Sequence, residues 1–257
     1  LVNPALLNVG MARQVALSYL PYLAGINMGY TSYCHHFDSL GITTSASIQY
    51  IDYGPLRRRD EIGNDLGSFR AGEYVVQFGG SHAVDSTFRV GVNLKYILSQ
   101  LDTYKASGMA ADIGGVFHKK ALGLTVAATV RNLGVMTKTY AGEKEDLPLQ
   151  LQVSSTFKFK HAPFRIGLSV DNIQRWDLTY DDPYQAAQVD PTTGELLEDK
   201  VSTAEKALWH IVPNAEVLFG QNFMLRFGYN YKRRQELNLA EKPGLTGMSL
   251  GIGLKVS

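Results

Sequence analysis

The strongest constraint on the fold is a period-two alternation of apolar and polar residues that recurs from Ala24 to the end of the sequence. In one such run, Phe88 and Val90 alternate with Arg89 and Gly91. This period puts successive side chains on opposite faces of a strand, and no helical period competes with it. An all-β fold of twelve strands is therefore predicted. The predicted strands are 13–20, 24–33, 42–52, 72–82, 87–99, 108–118, 121–132, 149–159, 164–174, 209–219, 223–234 and 246–256.

The two faces of these strands differ in a way that favours a transmembrane barrel. Most segments are about ten residues long, enough for a tilted strand to cross a bilayer, whereas strands of soluble sandwiches usually have about five or six residues. The apolar register carries no charge in the strand interiors, as expected for a face in lipid, where one Arg or Lys costs roughly 2–4 kcal/mol. The opposite register is rich in glycine and small polar residues, which suits the restricted interior of a closed barrel. Its charged residues are Glu73, Arg89, Lys95, Asp112, Arg131, Lys158, Arg165, Asp171, Glu216, Arg226, Lys232 and Lys255.

Those charges have two interpretations. They pair across the interior and hold it closed, because unpaired charge in a low-dielectric space is costly. Alternatively, they line a water-filled pore with a preference for anions.

The lengths of the connections indicate the orientation of the barrel. Long connections are predicted around 53–71, 100–107, 133–148, 175–208 and 235–245, and short ones lie between them. Bacterial outer-membrane barrels alternate in this way, with long loops outside the cell and tight turns in the periplasm. An even strand count then puts both termini in the periplasm. A soluble sandwich, whether enzyme or lectin, stays as the alternative because it too can carry charge on one face.

Composition excludes several other classes of protein. Lys and Arg number 25 and Asp and Glu 24, which is too balanced for a general nucleic-acid binder. No run approaches the ~18 apolar residues of a transmembrane helix. The single cysteine, Cys34, excludes a disulfide framework and a Cys-rich zinc site. His35 and His36 lack further ligands at metal-binding spacing, and no GxSxG elbow is present. We therefore expect no cofactor, no metal and no enzymatic activity.

Several motifs together resemble one family. They are NPA at 3–5, YIDYG at 50–54, RRRDE at 57–61, HAPFR at 161–165 and DNIQRWDLTYDDP at 171–183. The chain resembles the PorQ-type proteins of the type IX secretion system, relatives of PorV among the FadL-like outer-membrane barrels. The resemblance spans most of the chain, and 161–183 is its most specific part.

The resemblance implies a location, a function and a set of partners. It implies a non-enzymatic component of the outer membrane of Gram-negative bacteria, with residues 1–12 as an N-terminal hatch or plug and 13–257 as the barrel. FadL-like barrels have about fourteen strands, so either terminal strands are missing from the twelve predicted here or the barrel is a genuinely smaller one. The implied partners resemble PorZ, PorU and PorV, in the surface complex that joins secreted cargo to lipopolysaccharide. A FadL-like transporter or pore for hydrophobic or small solutes is the alternative.

The candidate partner-binding residues lie in two predicted external loops. Three consecutive arginines could pair with an acidic protein surface or with lipopolysaccharide phosphate, and large aromatic side chains often dominate interfaces. The arginines could equally belong to an ordinary solvated loop, and the aromatics to the interfacial girdle. The acidic residues could bind calcium or simply be solvated. The candidates are Arg57, Arg58, Arg59, Trp176, Tyr180, Asp181 and Asp182.

Overall fold

A computed structural model describes residues 2–140, 142, 146–179, 201–220, 222–237 and 244–254. The fold is all-β: twelve antiparallel strands follow one another in chain order in one sheet. The strands are β1 (Val15–Pro21), β2 (Asn27–Phe37), β3 (Ile42–Arg59), β4 (Asp65–Ala83), β5 (Phe88–Leu101), β6 (Tyr104–Lys119), β7 (Leu124–Lys138), β8 (Gln150–Lys158), β9 (Phe164–Asp171), β10 (Ile211–Phe219), β11 (Phe223–Tyr229) and β12 (Met248–Leu254). Two short helices are α1 (Thr203–Leu208) and α2 (Tyr231–Leu237), and 3₁₀ turns occur at Pro4–Leu6, Val9–Met11, Leu23–Gly25 and Lys120–Leu122.

Every predicted strand is present, but two predicted long loops are wrong. The strands on both sides extend through 53–71 and 100–107, so that only 60–64 and 102–103 connect them. A register shift between Asp52 and Pro55 lets β3 continue beyond its alternating part. At the tip of the hairpin, Asp60 Oδ1 accepts hydrogen bonds from the backbone N–H groups of Ile62 and Asn64 at 3.1 and 2.7 Å. These bonds satisfy the turn locally and allow pairing up to Arg59 with Asp65.

The end of the predicted strand 223–234 is also wrong, because β11 ends at Tyr229 and α2 follows. Asn230 explains the change, since its side chain accepts from Arg233 N at 2.9 Å, as a helix N-cap does. Lys232 therefore lies on a helix, where its ammonium is 3.6 Å from Glu236 Oε1. It is not part of a strand face, and Lys255 lies outside the described residues.

The strand faces have the inverse of the usual soluble pattern. On β5, Leu94 is 59% exposed, while its neighbour Asn93 is 7% exposed. On β6, Ile113 is 47% exposed and Asp112 only 1%. We call the register that contains Asn93 and Asp112 the polar face and the opposite register the apolar face. Such a contiguous exposed apolar surface marks contact with lipid or protein.

The chain forms two compact units, Leu1–Lys119 with Thr125–Leu151, and Lys120–Leu124 with Gln152–Ser257. In the first unit, the buried apolar side chains are small or come from the N-terminal segment, such as Ala5, Leu7 and Ala110. In the second unit, Leu250, Ile252 and Leu254 of β12 are each more than 70% exposed. Neither α1 nor α2, the helices of the described part, is long and apolar enough to cross a membrane.

Candidate functional site

The N-terminal segment, 2–11, packs on the polar face of the first unit. Its turn at Pro4–Leu6 contacts β4, β5 and β6. Asn3 is 3% exposed; its Nδ2 donates to the carbonyls of Gly115 and Ala128 at 3.4 and 3.2 Å, and its Oδ1 accepts from Ala5 N at 2.8 Å. These bonds fix the segment to two strands.

Two glycines make this close approach possible. A Cβ at Gly114 would lie 2.0 Å from Asn3 Oδ1, and a Cβ at Gly91 would lie 2.5 Å from Ala5 N. No side chain fits at such distances, so the N-terminal segment requires glycine at these two positions.

Replacing Gly114 by valine is expected to displace the N-terminal segment. The readout is thiol labelling of Ala5→Cys in a Cys34→Ser background, since Ala5 is fully buried. Labelling should become fast with Gly114→Val and stay slow with Gly115→Val, whose Cβ would meet only Phe88 Cζ at 3.9 Å. Equal labelling of the two variants would show that the segment does not need Gly114.

A buried ion pair lies beside this segment in the first unit. Lys95 Nζ is 2.6 Å from Asp112 Oδ2, and the two side chains are 8% and 2% exposed. Asp112 also accepts from Asn132 N at 2.9 Å and from Asn93 Nδ2 at 3.3 Å. Asn93 donates to Gln77 Oε1 at 2.8 Å as well. The carboxylate is therefore fully satisfied, which a buried charge requires.

The backbone of β7 changes conformation at this cluster. Asn132 has a φ of 58°, a left-handed conformation that asparagine tolerates better than most residues. Its N–H can then reach Asp112, while its Oδ1 accepts from Lys95 Nζ at 2.9 Å and its Nδ2 donates to Pro148 O at 2.9 Å. The preceding Arg131 donates from Nη1 to Gln150 Oε1 at 3.1 Å.

A cavity of about 450 Å³ lies over the same cluster within the first unit. Lys95, Asp112, Arg131 and Asn132 line one part of it. Apolar side chains line much of the rest, namely Val2, Leu20, Met28, Val75 and Ile97.

The second unit carries its own charge cluster on the polar face. Glu216 of β10 lies directly opposite Arg165 of β9 and Arg226 of β11. Its two carboxylate oxygens are 2.7 Å from Arg165 Nη1 and 3.0 Å from Arg226 Nε. Gln152 Nε2 donates to Asp171 Oδ1 at 2.7 Å. The Glu216 carboxylate thus bridges three adjacent strands, β9, β10 and β11.

The other charges predicted on this face have different surroundings. Glu73 accepts a hydrogen bond from Tyr53 Oη at 3.1 Å. Within the described residues, no carboxylate lies within ion-pair distance of Arg89 or Lys158. The charged positions were visible in the sequence, whereas the uncharged partners Gln77, Asn93 and Asn132 were not singled out. The sequence feature that identifies these three residues is that they are polar and lie in the same register as the charged residues.

The three candidate arginines lie in β3 and not in a loop, and all three are exposed. The extended β3–β4 hairpin carries them beyond the alternating part of the strand. Arg58 pairs with Asp102 in the β5–β6 turn, and its guanidinium carbon lies 5.9 Å from the centre of the Phe69 ring. The ion pairs of the described residues include neither Arg57 nor Arg59.

Trp176 lies in the connection after β9 and is 56% exposed. Its ring stacks on His210 at a centroid distance of 5.6 Å. The buried His210 ring is held by the carbonyls of Asp171 and Trp176, at 2.7 and 3.0 Å. The Lys206 ammonium of α1 and hydrogen bonds from Thr179 hold the pKa of the Asp177 carboxyl well below its usual value. Tyr180, Asp181 and Asp182 lie outside the described residues.

No protein-family model and no curated protein matches this sequence. Among the described residues, no group of three or more His, Cys, Asp or Glu side chains is placed to hold a metal ion. The functional interpretation therefore depends on the two faces of the sheet and on the surfaces at the strand ends.

Proposed function

We propose that this chain is a FadL-like β-barrel of the bacterial outer membrane and a non-enzymatic scaffold of the type IX secretion system. In this proposal it anchors partner proteins, resembling PorZ, PorU and PorV, of the complex that joins cargo to lipopolysaccharide. The proposed membrane location is supported by the inverted pattern of exposure of the strand faces: Leu94 is 59% exposed to solvent, and Asp112 is 1% exposed. Lipid is the solvent that favours an apolar outer face around a polar interior.

A scaffold is favoured over a transporter by what covers the polar face. The N-terminal segment lies on β4, β5 and β6 through buried hydrogen bonds of Asn3. Ion pairs join neighbouring strands in each unit, through Asp112 in the first and Glu216 in the second. The segment covers part of the polar face, and the ion pairs hold neighbouring strands together, so the sheet gives a rigid support for external surfaces.

The β3–β4 hairpin is the proposed partner-binding surface. At ~3.3 Å per residue, the 18 residues of β3 span roughly 60 Å. The apolar band of an outer-membrane barrel is only about 25 Å tall, so part of the hairpin extends beyond the bilayer. In the proposed orientation that part is extracellular and presents Arg57 and Arg59 to an acidic protein surface or to lipopolysaccharide phosphate.

The test is affinity purification from outer membranes, followed by identification of the retained proteins. The Arg57→Glu/Arg59→Glu variant is expected to lose the attachment-complex proteins and keep the membrane location. The matched control is Lys119→Glu/Lys120→Glu, which makes the same charge change on exposed residues at the opposite ends of the strands. Unchanged partners in the first variant would contradict the assignment of this surface. Recovery of the chain without detergent, or strong conductance in planar bilayers, would contradict the closed membrane scaffold.

A further inference from the structure

The cavity of the first unit has an excess of positive charge. Lys95 and Asp112 lie 2.6 Å apart and neutralise each other. Arg131 lines the same cavity, and no carboxylate of the described residues is within ion-pair distance of its guanidinium. Because an arginine stays protonated at all physiological pH values, one positive charge is left over at this wall.

The Arg131 guanidinium is also only partly satisfied by hydrogen bonds. Its Nη1 donates to Gln150 Oε1 at 3.1 Å, which fixes the plane of the group. Its Nε is buried and has no hydrogen-bond partner among the described residues. A buried donor without a partner is costly, and it leaves the charge of this guanidinium next to one neutral acceptor only, the Gln150 amide.

We propose that this cavity binds a compact oxyanion, a carboxylate or phosphate group, through Arg131. This proposal does not depend on the proposed scaffold function, because it uses only the geometry of groups in the first unit. An oxyanion in the cavity would supply the missing counter-charge and accept hydrogen bonds from the guanidinium, as guanidinium–oxyanion contacts do. The apolar walls formed by Val75 and Ile97 lower the local dielectric and so strengthen this interaction.

Asp112 does not oppose an anion at this place. It accepts hydrogen bonds from Lys95, Asn132 and Asn93, so its negative charge is already compensated. The cavity volume of about 450 Å³ lies within the range of roughly 300–1,000 Å³ usual for small-ligand sites.

The test follows the Nε–H signal of Arg131 in ¹H–¹⁵N NMR spectra of the full chain in zwitterionic detergent micelles. The probes added to the sample are acetate, acetamide and inorganic phosphate. Acetate and acetamide have nearly the same shape and differ in charge. Comparison of acetate with phosphate distinguishes a carboxylate site from a phosphate site. The signal is assigned by its loss in Arg131→Gln, or in Arg131→Lys where the first variant does not fold. Arg89, a polar-face arginine that does not line the cavity, is the internal control.

Acetate or phosphate is expected to shift the Arg131 signal saturably, with an affinity about tenfold or more above that of acetamide. The Arg89 signal should not follow it. The proposal is overturned if acetamide acts like acetate, if the Arg131 and Arg89 signals change together as a bulk salt effect, or if neither anion shifts the signal. Partner purification is a separate measurement, so the scaffold proposal would be unaffected if no anion bound in the cavity.

Discussion

Replacing Asp112 by alanine is expected to destabilise the protein by about 3–5 kcal/mol, the usual cost of breaking a buried ion pair by removing one partner. The Lys95 side chain is 8% exposed, so its ammonium would remain buried without a counter-charge. Asn132 N and Asn93 Nδ2 would lose their acceptor at the same time. The measurement is urea unfolding of the purified chain in phospholipid vesicles, followed by circular dichroism of the sheet.

The control for this prediction removes both charges. Lys95→Met/Asp112→Leu leaves no unpaired ion and should recover part of the loss. The recovery is incomplete because the two amide donors still lack the carboxylate. If the single and double variants were equally stable, the Lys95 charge would have to be solvated in another way, and the ion pair would not be what stabilises this part of the sheet.

The strand positions and their faces were predictable because period two is a local property of the sequence. The run from Phe88 to Leu98 has one register of large apolar residues, and that register is the exposed one in β5. The polar register contains Gly91, where a Cβ would lie 2.5 Å from Ala5 N of the N-terminal segment. A local pattern of this kind is read directly, without knowledge of distant contacts.

The strand ends were less predictable because they depend on turns and not on alternation. The region 53–71 breaks the alternation and has Pro55 and three arginines, yet it forms a paired hairpin stabilised by the Asp60 turn. The reverse holds at 230–232, where alternation continues in the sequence but the Asn230 cap begins a helix. In both places the oxygen of one short polar side chain, Asp60 or Asn230, accepts from backbone N–H groups and so decides the structure.

The strand positions of the charged candidates from Glu73 to Arg226 were predictable, whereas Lys232 lies on a helix and the partners of the charges were not predictable. That Glu216 meets both Arg165 and Arg226 depends on the registers of β10 with β9 and with β11. Register depends on turn lengths and on contacts that a single sequence does not display. The role of Asn132 depends on its left-handed backbone, which no periodic pattern reveals.

Introducing an arginine at Leu94 is expected to cost roughly 2–4 kcal/mol if the apolar face contacts lipid at mid-bilayer. Leu94 lies in the middle of β5, opposite Phe78 and Ala111 on its neighbours, and is 59% exposed. At an equally exposed position in water, the same change would be nearly neutral, because a long charged side chain keeps its hydration there. The size of the effect therefore reports the solvent of this face.

The matched control is Val84→Arg, in the β4–β5 connection. Val84 is 60% exposed, almost the same as Leu94, but it lies at the end of the strand, where an arginine reaches the interface and costs only about 0–1 kcal/mol. Unfolding free energies in phospholipid vesicles should therefore separate the two variants, and Leu94→Ala should show how much of the loss comes from removing the leucine. Because exposure is equal, a difference between the two arginine variants comes from depth in the bilayer. Equal stabilities would mean that water or another protein covers the apolar face, and the membrane assignment would then be wrong.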